Sequence, residues 1–355
     1  MSLLYMFRTQ VGGSTRRLDE ATRSSQGTVK GVKEADFDAV RSAATLHRAF
    51  KGLATDERVL IQQLVLHSNP QRQLIKKAYR TAFCKELQND LEDELGGHFL
   101  ELCTALLAPP PLRDARLIHS FVSGSFVDYE GLCEILCTRT KAELEAIERS
   151  YAETFDEPLR STLEQETPES FQRLASRALD GARVYGADDI ADASIAKSDS
   201  ELIIKAVPLP LVVGCDRLGR QCTEAVGRAD AADVLRAFAK SSPRRLRPLP
   251  QSGRSPAQGS AVRTIRAAHV RQPLLTVLRV AAGSGAYLAE RLHEALRSVA
   301  TDDDTLMRIV VSRSEVDLEV IKAEFQLRYK QSLATAVSHS CGGDYCRLLL
   351  KLIQG

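Results

Sequence analysis

The sequence repeats itself, and no other feature constrains its fold as tightly. Shifted by 72 residues, Leu46, Leu60, Leu64, Tyr79, Phe83, Leu87, Leu91, Phe99 and Leu102 fall on Ile118, Leu132, Leu136, Tyr151, Phe155, Leu159, Leu163, Phe171 and Leu174. Shifted by 246, they fall on Leu292, Leu306, Val310, Phe325, Tyr329, Leu333, Val337, Tyr345 and Leu348. Every position stays apolar or aromatic, without a gap. A chain that repeats its core-forming residues must bury each copy in the same way, which implies an array of similar units. Inside a unit the apolar residues recur at three and four, as in Ile75, Tyr79, Phe83, Leu87 and Leu91. That is helical spacing, and no strand alternation competes with it. Ser68, Thr140 and Ser314 share one register position ahead of helix-forming stretches, so each is expected to be an N-cap. The chain therefore reads as all-α, in units of about five short helices.

The register sets the boundaries. Residues 1–35 form a variable N-terminal tail, 36–108 the first unit, 109–181 the second and 282–355 the fourth. A third is expected at 190–281, opening in DASIAKSDSELIIKA and closing in LLTVLRV. Between them, within 207–273, the stretches VPLPLVVGCDRLGRQ and SSPRRLRPLPQSGRSPAQGS carry 6 of the 13 prolines. Proline interrupts helices, and this Pro/Arg/Ser/Gly composition reads as irregular. The third unit is expected to be poorly formed, either diverged with an insertion or altered in exon or reading frame. From Val207 to Gln272 there are 11 Arg and 1 Lys against 4 acids, a charge of +8. The whole chain is only +2, so the remainder carries 2 − 8 = −6.

Several chemistries are absent from the sequence. There is no P-loop, dinucleotide fingerprint, Ser/His/Asp or Cys/His arrangement, so the chain does not read as an enzyme. The eight cysteines (84, 103, 133, 137, 215, 222, 341, 346) form no CxxC pair, and the seven histidines have no ligand spacing. Reduced thiols in a cytosolic protein are expected, with Cys133 and Cys137 sharing a helix face. No stretch approaches the roughly 20 apolar residues of a membrane span, so membrane contact would be peripheral. The basic stretch lacks interleaved aromatics, and no nucleic-acid partner is expected; attraction to anionic lipid stays open.

One short loop stands out. KGLATDE (51–57) separates two helical stretches, and Glu94 follows Gly52 by 42 residues. Glu166 follows Gly124 at the same interval, whereas the fourth unit has Ser298 and Ser340. A tight turn of small residues aims several carbonyls at one point, and an acid from another helix end can close it. Calcium takes six to eight such hard oxygens, and a lipid phosphoryl oxygen could fill an outward vacancy. Asp302, Asp303 and Asp304 look like a metal cluster, but read better as a first helical turn, where negative charge suits the dipole.

With SNPQRQLIKKAY, DLEDELGGHF, CTRTKAELEAI, SYAETF, VSRSEVDLEVIKAEF and GGDYCRLLLKL, the loop resembles the annexin family over about residues 28–205 and 274–355. The resemblance implies four repeats of five helices in a slightly curved disc. It also implies calcium loops that bind acidic phospholipid, and an N-terminal tail that recruits a protein partner. Carried over by position, the carbonyls of Phe50, Gly52 and Ala54 and the carboxylate of Glu94 would hold calcium. Ala54 stands where the family has Gly. An accessory position would use Leu53, Thr55 and Glu57, and Lys51 would meet a lipid phosphate. Gly124 and Glu166 would mark a second site, damaged by Phe126 and Val127. The fourth loop, RSVATDDD, loses both the Gly and the acid, and no loop signature survives in the third unit after Ala206.

These losses imply weakened calcium-dependent binding to acidic membranes by a cytoplasmic, peripherally attached scaffold, since attachment gains from several sites on one face. The alternative is a calcium-independent interaction scaffold that has lost most of its metal sites. A non-functional or mispredicted product is a third reading, motivated by 207–273.

Overall fold

The structure, a computed structural model, describes residues 26–51, 54–180, 276, 279–280, 283–298 and 300–355. Its described helices fall into three sets of five. The first holds α1 (Ala39–Ala49), α2 (Glu57–Leu66), α3 (Asn69–Phe83), α4 (Leu87–Glu94) and α5 (Gly97–Leu107). The second holds α6 (Pro110–Ser123), α7 (Tyr129–Thr138), α8 (Lys141–Phe155), α9 (Leu159–Glu166) and α10 (Glu169–Leu179). The last holds α11 (Ser284–Arg297), α12 (Asp303–Arg313), α13 (Leu318–Tyr329), α14 (Leu333–Ser340) and α15 (Gly343–Gln354). No strand occurs among the described residues, and the expected third unit lies outside them apart from Thr276, Arg279 and Val280.

The repeated apolar positions are the core. Phe83, Phe99, Phe155 and Tyr329 are half-buried, and the other aligned residues are buried. The first helix of each set packs on the third: α1 on α3, α6 on α8, α11 on α13. The second packs on the fifth: α2 on α5, α7 on α10, α12 on α15. Across units, α15 meets α2 and α5, and α12 meets α5, so the first and fourth units share one core. The second unit has its own. A segment before α1 straps the shared core shut. Thr28 Oγ1 donates to Leu352 O at 2.6 Å, Val29 N to Ser314 O at 2.9 Å, and Gln71 Nε2 to Val32 O at 2.6 Å. At Gly27 a Cβ would lie 2.6 Å from the Glu315 carbonyl carbon, so only glycine lets the strap lie this close.

Two of the three expected N-caps hold. Ser68 and Thr140 precede α3 and α8, with Gln71 and Glu143 bonding back to the cap N–H at 3.1 and 2.6 Å. Ser314 does not cap a helix start: it is the C-cap of α12, and α13 begins at Leu318 after Asp317. The position that reaches back in the other units is here Asp317, and Arg313 takes its carboxylate, at 2.6 Å from Nε. Ser314 N–H is free to continue the helical turn onto Val310 O at 3.0 Å. Its neighbour Glu315 instead reaches into the first unit, accepting from Asn69 N at 2.9 Å and pairing with Arg72 Nη1 at 3.0 Å.

Candidate functional site

The loop between α1 and α2 is closed by its own backbone. Lys51 N donates to Arg48 O at 3.1 Å and Asp56 N to Ala49 O at 2.9 Å. Asp56 then caps α2, its carboxylate accepting from Val59 N at 3.2 Å. That is why Thr-Asp-Glu follows so tight a turn: the Asp ends the loop and starts the helix. The same closure recurs from Asp128 N to Phe121 O at 2.9 Å and from Asp302 N to Ala295 O at 3.0 Å. The three aspartates share one backbone conformation, with φ from −87 to −80° and ψ from 83 to 86°.

The remote acid comes back to the first loop. Leu87 and Leu91 are fully buried and pin α4, whose last residue is Glu94. Thr55 Oγ1, in a side chain only 8 % exposed, donates to Glu94 Oε2 at 3.0 Å. Glu94 itself is solvent-exposed, which leaves its remaining lone pairs available. A second clamp holds the helix that carries it. Asp90 accepts from the Tyr79 hydroxyl and from Lys85 Nζ at 2.9 Å. Burial opposes ionisation of Asp90, but these two bonds and the Lys85 charge outweigh it and hold the carboxyl below the usual range. Sequence reasoning missed both Thr55 and Asp90 in these roles. The signal available was that Thr162 and Ala336 replace Asp90 in the other units, and Val127 replaces Thr55 in the second.

The remaining expected residues are placed as follows. Phe50 is the C-cap of α1 in a helical conformation, and its carbonyl opens the turn. Lys51 and Ala54 are exposed, and Glu57 is half-buried in the first turn of α2. Gly52 and Leu53 lie outside the described residues. Gly124 is the C-cap of α6, and Glu166 ends α9 and is exposed. Val127 offers Glu166 no hydroxyl. In the fourth unit Thr301 keeps the hydroxyl but meets Ser340 O at 3.5 Å, while Ser340 Oγ turns to Leu296 O at 3.4 Å. Asp302 is the N-cap of α12 and Asp303 and Asp304 form its first turn, as the sequence suggested.

The described part of the first loop's expected ligand set, Phe50, Ala54 and Glu94, sets turn backbone beside one positioned, exposed carboxylate, a donor chemistry that suits a hard cation. The fourth loop does not fit, because a hydroxyl stands where the acid is needed. Among the described residues no group of three or more His, Cys, Asp or Glu side chains could hold a metal by itself.

His98 Nε2, just beyond Glu94, lies 3.5 Å from Asp303 Oδ2, so the start of α5 adjoins the start of α12. Burial opposes the charge of Arg308, but its pairing with Glu134 outweighs this and holds the guanidinium above the usual arginine range, with smaller contributions from Asp128 and Asp302.

A further repeat lies at the histidines. His47, His119 and His293 stack on Phe83, Phe155 and Tyr329 with ring centroids 3.8, 3.8 and 3.6 Å apart. They are structural.

Known proteins place these features in context. The family model described as Annexin matches residues 41–106, 113–176 and 287–352. Human annexin A7 is 35% identical over 335 residues, spanning 94% of this chain and 64% of that protein. Human annexin A3 is 34% identical over 336 residues, spanning 93% of this chain and 97% of that one. The solved structure of annexin III superposes with a TM-score of 0.72 at 32% identity, over 93% of this chain and 97% of that one.

Proposed function

The chain belongs to the annexin family, whose members bind membrane phospholipids in a calcium-dependent manner, and from that premise we propose that it attaches to acidic phospholipid through one principal metal site in its first unit. The reading rests on one observation: Glu94 reaches back across the chain to the 51–56 loop, where Thr55 holds it at 3.0 Å. Phe50, Gly52 and Ala54 carbonyls with the Glu94 carboxylate would bind the calcium ion, which would supply a bridge to the lipid phosphate. Leu53, Thr55 and Glu57 would serve an accessory ion, with Lys51 beside the headgroup. Gly124 and Glu166 would give at most a weaker second site, for want of the hydroxyl at Val127. Attachment is weakened, because one site replaces several acting together. No described helix is long and apolar enough to cross a membrane. The attachment proposed is peripheral, by a cytoplasmic, non-enzymatic scaffold.

Co-sedimentation with phosphatidylserine vesicles under a calcium titration tests this. Pelleting should need calcium and shift to higher calcium in Glu94→Gln. Pelleting indifferent to both chelator and substitution would overturn the reading. Ser340 in place of the acid favours the second reading, a calcium-independent scaffold that recruits a protein partner through its N-terminal tail. Saturable calcium heat lost in Glu94→Gln would exclude it.

A further inference from the structure

A cavity of about 200 Å³ opens where the first, second and fourth units meet. That is several times the roughly 30 Å³ share of one water. Its wall carries four arginines: Arg72 on α3, Arg113 on α6, Arg139 just after α7 and Arg313 at the end of α12. Three carboxylates share the wall, and each is engaged. Asp114 Oδ2 accepts from Arg139 Nε at 2.6 Å. Glu315 accepts from Asn69 N at 2.9 Å and from Arg72 Nη1 at 3.0 Å, and Glu143 from Thr140 N at 2.6 Å. Two of the arginines are less well served. Arg113 donates from Nε to Asp114 Oδ1 at 3.3 Å, and its terminal amino groups meet no acceptor among the described residues. Arg72 is only 2 % exposed, yet its Nη2 has no partner, while Nε reaches Leu64 O at 2.7 Å. Burial holds both guanidinium groups below the usual arginine range, despite Glu315 and Asp114 beside them. The register sets Arg72 apart, because the other described units bury leucine at its position, Leu144 and Leu318. A unit that closes on leucine does not need a buried arginine for its core, and an unpaired buried donor costs free energy.

We infer that this cavity is a binding site for a small phosphate-type oxyanion, held by the Arg72 and Arg113 guanidinium groups at the seam of three units. A guanidinium fork matches the oxygen spacing of a phosphate group and donates from a fixed plane. The anion supplies the acceptors that these two side chains lack, and it offsets the excess of arginine over carboxylate in the wall. The second unit has a core separate from the one that the first and fourth share, so an anion here braces one core against the other. The proposal goes beyond the calcium reading and does not depend on it: neither Glu94 nor Glu166 lines the cavity.

Calorimetric titration of the full chain with inorganic phosphate, in chelator and at constant ionic strength, tests this. One saturable site is expected, and the melting temperature should rise with phosphate as the bound state is populated. Arg113→Met removes the guanidinium with fewest bonds and leaves Arg72 and Glu315 paired. It should weaken phosphate binding roughly tenfold or more, the worth of hydrogen bonds to a charged group, with the helical circular dichroism unchanged. Arg113→Lys keeps the charge but not the fork, and its affinity should fall between the two. Glycerol 3-phosphate separates the sources. Binding at least as tight as phosphate assigns the site to a phosphorylated small molecule, and binding of phosphate alone assigns it to the free ion; both support an oxyanion site. Absence of saturable heat in the unsubstituted chain would overturn the proposal. So would phosphate affinity that Arg113→Met and Arg113→Lys leave intact. A melting temperature that climbs without saturation, equally in the variants, would assign the effect to salt exclusion from the surface and overturn it too.

Discussion

On the proposed calcium reading, Thr55 is the residue that positions Glu94 as a ligand. Its hydroxyl fixes one carboxylate oxygen at 3.0 Å, and the side chain is buried enough to have few other rotamers. A ligand held in place before the ion arrives does not lose that freedom on binding. Thr55→Val should therefore weaken calcium affinity by about fivefold, close to the ~1 kcal/mol of one hydrogen bond, with the fold intact. Calcium titration calorimetry reads this, and an unchanged affinity would show that Thr55 plays no positioning part. Glu94 was legible in the sequence through its 42-residue interval from Gly52. The part of Thr55 was not, because spacing locates a residue along the chain and says nothing of where its side chain turns.

At the scale of the helix, each third helix ends on a non-glycine residue in the left-handed region. Cys84, Asp156 and Lys330 stand at one register position with φ of 54, 56 and 57°. Side chains with a Cβ lose on the order of 1 kcal/mol there, Asp less than most. Cys84→Gly and Lys330→Gly should each stabilise the protein by about 0.5–1 kcal/mol, additively, in urea denaturation. Destabilisation by either would mean that the side chain's own contacts outweigh the strain. Helix starts show how far a shared register reaches. Ser68 and Thr140 cap as their spacing indicates, while Ser314 does not, because Arg313 is near enough to claim Asp317. A shared register fixes a cap only when no neighbouring side chain competes for its atoms.

Across the whole molecule, buried charge joins the units. Arg308 and Glu134, 4 and 2 % exposed, pair at 3.0 Å between α12 and α7. Removing one partner strands a desolvated charge, so Glu134→Leu alone should cost about 3–5 kcal/mol, and Glu134→Leu with Arg308→Met far less. A double-mutant cycle measured by denaturation checks this; additive losses would deny the coupling. The histidines make the fold sensitive to mild acid. Burial lowers His47, His67 and His293 below the usual imidazole value. His67 is the most enclosed of the three, with Nδ1 at 2.7 Å from Gln63 O and Nε2 at 3.2 Å from Ser42 Oγ. As pH falls through about 6.5 the unfolded chain takes up protons before the folded one, so stability present above that value is lost. His98 has the opposite sign, raised by its bond to Glu101, but it is more than half exposed and screened. The melting temperature should fall between pH 7.5 and 5.5, and less steeply in His67→Gln. A rise on acidification would refute this.

The sequence by itself determined the all-helical units, their register and the buried positions. A repeated apolar pattern can be satisfied only by burying the same faces each time. It also nominated Glu94 and showed the fourth loop's acid to be gone. The tertiary structure decided the rest: that the first and fourth units share a core, that a strap before α1 closes it, that Glu315 caps a helix in another unit, and that Phe126 stands clear of the surface. Those facts depend on which distant surfaces meet, and periodicity along a chain records which face is apolar but not what covers it.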